Sequence, residues 1–99
     1  MQRAAKLLTK REIDKAAKKL DSFVPDNKQV KLSATFTFPR HIDALVFIAR
    51  ITVHAEVLQH HPDITFTYSK VKVVITTHDL KGLTKKDFEL ATRIEDLKR

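Results

Sequence analysis

The chain contains no cysteine, no tryptophan and a single glycine in 99 residues. Without cysteine it cannot form disulfide bonds, thiolate metal sites or thiol nucleophiles. It also lacks a signal-peptide pattern and any apolar run long enough to cross a bilayer, so we expect a cytoplasmic protein without a membrane partner. Histidine and carboxylate side chains therefore remain as the available chemistry.

Apolar residues make up 42% of the chain and charged residues 31%, which is the balance of a folded domain. The length predicts one domain, residues 1–99, whose small core would gain stability from self-association. The net charge of +7 could attract nucleic acid or another anion. However, the basic residues are not interleaved with aromatic ones and no helix-turn-helix pattern is present, so nucleic acid is not an expected partner.

The first part of the chain predicts a helix and then one or two strands. Thr9 and Glu12 have the spacing of a capping box, which predicts a first helix over Thr9–Leu20. A very short strand could precede Pro25. Strict apolar and polar alternation over Val30–Phe38 predicts a strand with one buried face.

The long segment Ile42–Gln59 predicts a buried central helix with two apolar stripes on roughly opposite sides. The first stripe contains Ala44, Phe47, Ile48, Ile51, Ala55 and Leu58, and the second contains Ile42, Val46, Ala49, Val53 and Val57. One stripe can cover a sheet. The second requires another partner, either another subunit across a two-fold axis or a further helix of the same chain.

The last part of the chain predicts an antiparallel hairpin and a final helix. Asp63–Ser69 and Val71–His78 alternate as two strands that a tight turn joins. Gly82 follows in a loop, where we expect it to supply a backbone conformation that other residues resist. Thr84 then caps the final helix, with Asp87 at its third position.

Three of the five histidines lie at the ends of two predicted elements. His60 and His61 end the long helix, and His78 ends the hairpin. Histidine gives and takes protons near neutral pH, so imidazoles beside carboxylates can catalyse proton transfer. The candidate carboxylates are Glu56 and Asp87.

Pro62 disfavours helical geometry at His61, which should therefore turn into the loop. Glu56 and His60 are four residues apart and share a helix face if the helix reaches that far. Two other interpretations remain open. The histidines could complement the negative end of the helix dipole in solvent, or they could bind a metal ion together with His54, although adjacent histidines ligate one ion awkwardly.

Several short motifs follow one another at a specific spacing along most of the chain. They are Ala55-Glu56, His60-His61-Pro62, Tyr68, Val71, Thr77-His78-Asp79, Gly82-Leu83-Thr84, Asp87 and Leu90-Ala91. Together they resemble the pterin-4a-carbinolamine dehydratase family over roughly Phe23–Leu97. A His-His-Pro triplet alone would be weak, but its spacing to the later motifs is hard to meet by chance.

The resemblance implies an α+β fold with two layers and the order α-β-β-α-β-β-α. An antiparallel four-stranded sheet, whose first strand is short, would carry the helices on one face. The resemblance also implies a homodimer or homotetramer that associates through the Ile42–Gln59 helix and the sheet edge. The implied activity is dehydration of a 4a-hydroxytetrahydropterin to the quinonoid dihydropterin, in tetrahydrobiopterin recycling, and the alternative is a non-catalytic module for dimerisation or for binding a transcription factor or nucleic acid.

By resemblance, His60, His61 and His78 are the catalytic residues. His60 and His78 would transfer protons, and His61 would hold the pterin. The implied substrate-binding residues are Glu56, His60, His61, Pro62, His78, Asp79 and Asp87, with Asp87 orienting an imidazole. No metal and no organic cofactor is implied.

The chain departs from the family pattern at three positions. Gln59 replaces a common acidic residue before the histidine pair, and Ile64 stands where a tryptophan is common. A second common tryptophan could be replaced by Phe23. Fewer aromatic rings would weaken stacking on a flat pterin.

Overall fold

A computed structural model describes residues 6–98, and within this range three helices pack against a four-stranded antiparallel sheet. The helices are α1 (Lys10–Ala17), α2 (His41–Leu58) and α3 (Lys85–Lys98), and the strands are β1 (Val24–Pro25), β2 (Leu32–Thr37), β3 (Asp63–Thr67) and β4 (Lys70–Ile75). A single 3-10 turn spans His78–Leu80. The sheet order is β1-β2-β4-β3. The predicted fold class and element order are confirmed, while residues 1–5 and 99 of the predicted domain lie outside the described range.

One face of the sheet forms the floor of the hydrophobic core. Leu32 pairs with Ile75, Ala34 with Val73, and Phe36 with Val71, and all six side chains are buried. The intervening residues of β2 and β4 are more exposed. Burying a leucine, isoleucine, valine or phenylalanine side chain contributes about 1.5–3 kcal/mol. The alternation of apolar and polar residues therefore decides which face of the sheet meets the helices.

The first helix begins with the predicted capping box. Thr9 N–H donates to Glu12 Oε1 at 2.8 Å, and Glu12 N–H donates to Thr9 Oγ1 at 3.2 Å. The backbone N–H of Thr9 thereby lowers the pKa of Glu12. The helix ends at Ala17 and not at Leu20, because the next residues form tighter turns in which Leu20 N–H donates to the Ala17 carbonyl at 3.1 Å. Leu20 still packs against the core, so the apolar pattern that predicted the helix continues past its last helical residue.

The two apolar stripes of α2 have different environments. Ala44, Phe47, Ile51 and Ala55 of the first stripe are buried against the core, as predicted. The second stripe faces away from the core, and Val53 is 62% exposed. Within residues 6–98 no further helix covers it, so the alternative of an intramolecular partner is wrong for this range. None of the helices in the same range has the length and hydropathy that a membrane span requires.

Gly82 lies where two segments approach closely, and its backbone angle is an ordinary one. Its φ is not positive, whereas the neighbouring Lys81 is left-handed with φ 54°. A Cβ atom on Gly82 would lie 2.6 Å from Cδ2 of Leu7. The segment before α1 crosses this loop, and Leu8 N–H donates to the Leu83 carbonyl at 2.9 Å. The expectation that Gly82 supplies a special backbone conformation is therefore wrong.

Candidate active site

The end of α2 turns His60 away from the helix and toward α3. Gln59 adopts the left-handed conformation, with φ 53° and ψ 43°, directly after the last helical residue. His60 N–H donates to the Ala55 carbonyl at 3.0 Å, and the imidazole Nε2 lies 2.6 Å from Oδ1 of Asp87. The helix ends at Leu58 and does not reach His60, so the condition under which Glu56 and His60 would share a helix face is not met.

Asp87 joins the two histidine segments from a fully buried position, with no exposed side-chain surface. Its Oδ1 contacts His60, while Oδ2 accepts from the Thr84 N–H at 2.8 Å and from the Thr77 hydroxyl at 2.7 Å. Thr77 directly precedes His78 at the end of the hairpin. One carboxylate therefore caps α3 and also ties the helix-end loop to the hairpin end.

The contact with Asp87 fixes which ring nitrogen of His60 is available. A carboxylate only accepts hydrogen bonds, so Nε2 carries the hydrogen. Nδ1 has no hydrogen-bond partner within residues 6–98. Every completely buried side-chain nitrogen or oxygen in that range does have a partner. Nδ1 is therefore not completely buried, although only 11% of the side chain is exposed. It is the ring nitrogen of His60 that the protein leaves without a hydrogen bond in this range.

His61 and Glu56 form a second imidazole–carboxylate pair on the surface. Nε2 of His61 hydrogen-bonds to Oε2 of Glu56, and both side chains are more than half exposed. His61 lies in the loop after α2, as its position before Pro62 predicts. Glu56 thus pairs with His61 and not with His60.

A third pair joins His78 to Asp63, which the sequence analysis did not single out. Nε2 of His78 lies 3.7 Å from Oδ2 of Asp63, and the two side chains are 66% and 70% exposed. Asp63 opens β3 and pairs in register with Val74, close to the end of β4. An exposed pair at this distance contributes little to stability, so it restricts the imidazole only weakly.

The remaining predicted site residues do not all converge on the imidazoles. Pro62 is half-buried between His61 and β3. Asp79 is exposed in the 3-10 turn and makes no side-chain hydrogen bond or ion pair within residues 6–98. Phe23 is 2% exposed and packs edge-on against Phe36, with ring centroids 5.9 Å apart, so it offers no free face for stacking. Ile64 packs at the margin of the core.

Sequence reasoning also missed the roles of two threonine hydroxyls. Thr77 and Thr84 were recognised as motif or capping positions, but their side chains surround the Asp87 carboxylate. Thr77 directly precedes His78, and Thr84 lies three residues before Asp87. A search for buried carboxylate partners at strand and helix ends would have indicated them.

The geometry does not favour the metal-site interpretation. His54 lies on α2 and contacts α3, with Nδ1 3.3 Å from Nη1 of Arg93. Within the described part of the chain, no group of three histidine, aspartate or glutamate side chains is arranged to hold a metal ion.

Chemically, the site is a set of three imidazoles, each with a carboxylate at Nε2. The His60 imidazole is held by the buried Asp87 carboxylate, and the imidazoles of His61 and His78 are exposed. Such a set can donate a proton to one atom of a bound ligand and accept a proton from another.

Comparisons with known proteins agree with the sequence motifs. The model of the family described as pterin 4 alpha carbinolamine dehydratase matches residues 6–97. A protein from Nostoc punctiforme, named "Putative pterin-4-alpha-carbinolamine dehydratase", is 44% identical over 92 residues, which cover 93% of this chain and 97% of the relative.

Two solved structures are similar in fold. The crystal structure of a transcriptional coactivator/pterin dehydratase from Brucella melitensis has a TM-score of 0.88 and 28% identity, covering 93% of this chain and 98% of that one. A pterin dehydratase-like protein described as a RuBisCO assembly factor in the alpha-carboxysome has a TM-score of 0.66 and 20% identity, covering 78% of this chain and 89% of that one. At this lower identity the second likeness concerns the fold alone.

Proposed function

Because this chain belongs to the pterin-4a-carbinolamine dehydratase family, we propose that it removes water from a 4a-hydroxytetrahydropterin to give the quinonoid dihydropterin. The observation that supports this most directly is the Asp87 carboxylate, which contacts His60 on one side and Thr77 on the other. Asp87 thereby links two histidine segments that are separate in sequence, which supports the proposal that they border one site. Where aromatic amino acids are hydroxylated, this reaction would recycle the tetrahydrobiopterin cofactor.

The reaction requires two proton transfers and needs no external oxidant or reductant. The bond between C4a and the hydroxyl oxygen breaks, and a general acid protonates that oxygen so that it leaves as water. The N5 proton passes to a general base, and its electron pair forms the new double bond to C4a. Positioned acid and base groups typically accelerate such a step by about 10²–10⁴-fold, without a metal or an organic cofactor.

The three imidazoles suit different parts of this task. His60 presents Nδ1 from a fixed ring, and His78 presents an exposed ring on the opposite segment. We assign the two proton transfers to them. His61, paired with Glu56, would hold the pterin from the solvent side, while Pro62 and Asp79 would border it.

Dehydratase activity can be tested directly with chemically generated 4a-hydroxytetrahydropterin. We expect the wild-type protein to accelerate formation of the dihydropterin, and the His60→Ala and His78→Ala variants to lose about 10²-fold or more in kcat. His54→Ala is the matched control, because this imidazole contacts Arg93 outside the site. Wild-type protein that gives no acceleration, or a control that loses as much activity as His60→Ala, would contradict the proposal.

Self-association through α2 and the sheet edge is a second part of the proposal. Val46, Val53 and Val57 expose 48–66% of their surface on the outer side of α2, and β3 is an edge strand of the sheet. An apolar stripe of this length is best buried against another copy. Sedimentation velocity should show a dimer or tetramer that Val53→Glu dissociates, while Thr35→Glu on the open sheet face should not.

The second candidate function is a non-catalytic association module. The exposed α2 stripe favours it, and the similar protein from Brucella melitensis is described as a transcriptional coactivator as well as a pterin dehydratase. This candidate predicts an oligomer that binds a protein or DNA probe without any dehydratase activity. A salt-dependent shift of a DNA probe by an inactive protein would support it.

A further inference from the structure

We propose that Thr77 is a positioning residue whose hydroxyl, acting through Asp87, holds the His60 imidazole in the orientation that the reaction needs. The catalytic part of this inference rests on the proposed function. Its geometric part depends only on the contacts of Asp87, and it can be measured without substrate.

The hydrogen bonds around Asp87 converge on its carboxylate from two sides. The Thr77 hydroxyl lies 2.7 Å from Oδ2 of Asp87, and because the carboxylate only accepts, the threonine donates its one hydrogen there. The two threonine hydroxyls are 2.9 Å apart, so the Thr84 hydroxyl donates in turn to Thr77. The donor chain therefore runs from Thr84 through Thr77 and ends at Oδ2 of Asp87, while Nε2 of His60 donates to Oδ1 from the other side. Donation from Thr84 polarises the Thr77 hydroxyl and strengthens its bond to Oδ2.

Both oxygens of the carboxylate are held by different partners. Oδ2 receives the Thr84 N–H and the Thr77 hydroxyl, and Oδ1 is left for the imidazole. Without the Thr77 hydroxyl, Oδ2 would keep the N–H and a Thr84 hydroxyl 3.4 Å away, at the outer limit of a hydrogen bond. The carboxylate could then rotate, and the imidazole would lose its single defined partner.

Thr77 is not needed to cap α3. The backbone N–H that Asp87 caps belongs to Thr84, and that contact does not involve the Thr77 side chain. Thr77 is also anchored independently by its backbone, because its N–H donates to the Gly82 carbonyl at 2.9 Å. Removing its hydroxyl should therefore alter the Asp87 carboxylate more than the local fold.

Thr76 provides a matched control. It is buried, at 7% exposure, and its hydroxyl donates to the Val30 carbonyl at 2.6 Å and not to Asp87. Thr76→Val and Thr77→Val thus each remove one hydroxyl from neighbouring positions, and only Thr77→Val removes a hydrogen bond to Asp87. Thr77→Ser keeps the hydroxyl and removes only a methyl group.

The first measurement is nitrogen-15 NMR of the histidine side chains in substrate-free protein. We expect His60 to carry its hydrogen on Nε2 in the wild type, in Thr77→Ser and in Thr76→Val. In Thr77→Val we expect the Nε2–H signal of His60 to broaden and to exchange faster with solvent, because the carboxylate no longer holds the ring in one orientation. An unchanged His60 Nε2–H signal in Thr77→Val, or an equal change in Thr76→Val, would overturn the inference.

The second measurement is the kinetics of dehydration. In Thr77→Val we expect kcat to fall about tenfold with KM nearly unchanged, which is the size of effect that one lost hydrogen bond produces. Thr77→Ser should restore kcat, and equal rates in all variants would overturn the catalytic part. An inactive wild type would refute the proposed function and the catalytic part together, while the NMR measurement would still decide the positioning part.

Discussion

Replacing Asp87 by asparagine tests the link between the buried carboxylate and the His60 imidazole. Oδ2 of Asp87 accepts from two donors, the Thr84 N–H and the Thr77 hydroxyl. The amide oxygen of Asn should therefore take this position, which places the amide NH2 against Nε2 of His60. Two donors would then face each other, and the imidazole must shift its hydrogen to Nδ1 to relieve the conflict.

The expected magnitude follows from the contacts. A hydrogen bond to a charged group contributes about 1.5–3 kcal/mol, so Asp87→Asn should lower the free energy of unfolding by about 2 kcal/mol. The shifted hydrogen would leave the wrong tautomer toward the ligand, which should lower kcat by about 10²-fold or more. Urea unfolding and the dehydration assay measure the two effects separately.

Glu95→Gln is the control for this experiment. Glu95 is another buried carboxylate of α3, at 3% exposure, and it accepts from the backbone N–H groups of Asp21, Ser22 and Phe23. Its substitution should cost comparable stability but leave kcat of the folded protein unchanged. If Asp87→Asn retained wild-type kcat, or if Glu95→Gln lost as much, the reasoning would be refuted.

Two further predictions concern the loops. Gly82→Ala should change the free energy of unfolding by less than about 1 kcal/mol, because the opposing Leu7 is 50% exposed and can move its Cδ2; a loss above about 2 kcal/mol in urea unfolding would contradict this. At Asp26, partial burial opposes the shift, but the N–H groups of Lys31 and Val30 hold its pKa below the ordinary 3.8. Its stabilisation is therefore present above that value and lost at lower pH, so acid titration should bring wild type and Asp26→Asn closer in stability.

The parts of the fold that local physics decides could be predicted from the sequence. The capping box of Thr9 and Glu12 depends on residues three apart, and it was located correctly. The buried stripe of α2 was also correct, because helical periodicity alone selects Ala44, Phe47 and Ile51.

The geometry of the site depends on contacts that local patterns do not contain. His60 and Asp87 are 27 residues apart, and their contact requires the left-handed turn at Gln59. Left-handed geometry is typical of glycine or asparagine, so a glutamine gave no signal for it. The same turn moves His60 off the helix and leaves Glu56 to His61. Sequence spacing therefore did not indicate that Glu56 contacts His61 while Asp87 contacts His60.

The central claim is that three imidazoles from two segments surround one pterin, and a crystal structure with a bound dihydropterin tests it most directly. We predict that the pterin lies between His60 and His78, with a polar atom within hydrogen-bond distance of Nδ1 of His60, and that His61 contacts its solvent side. A pterin bound elsewhere on the protein, or one that contacts only a single histidine segment, would contradict the account.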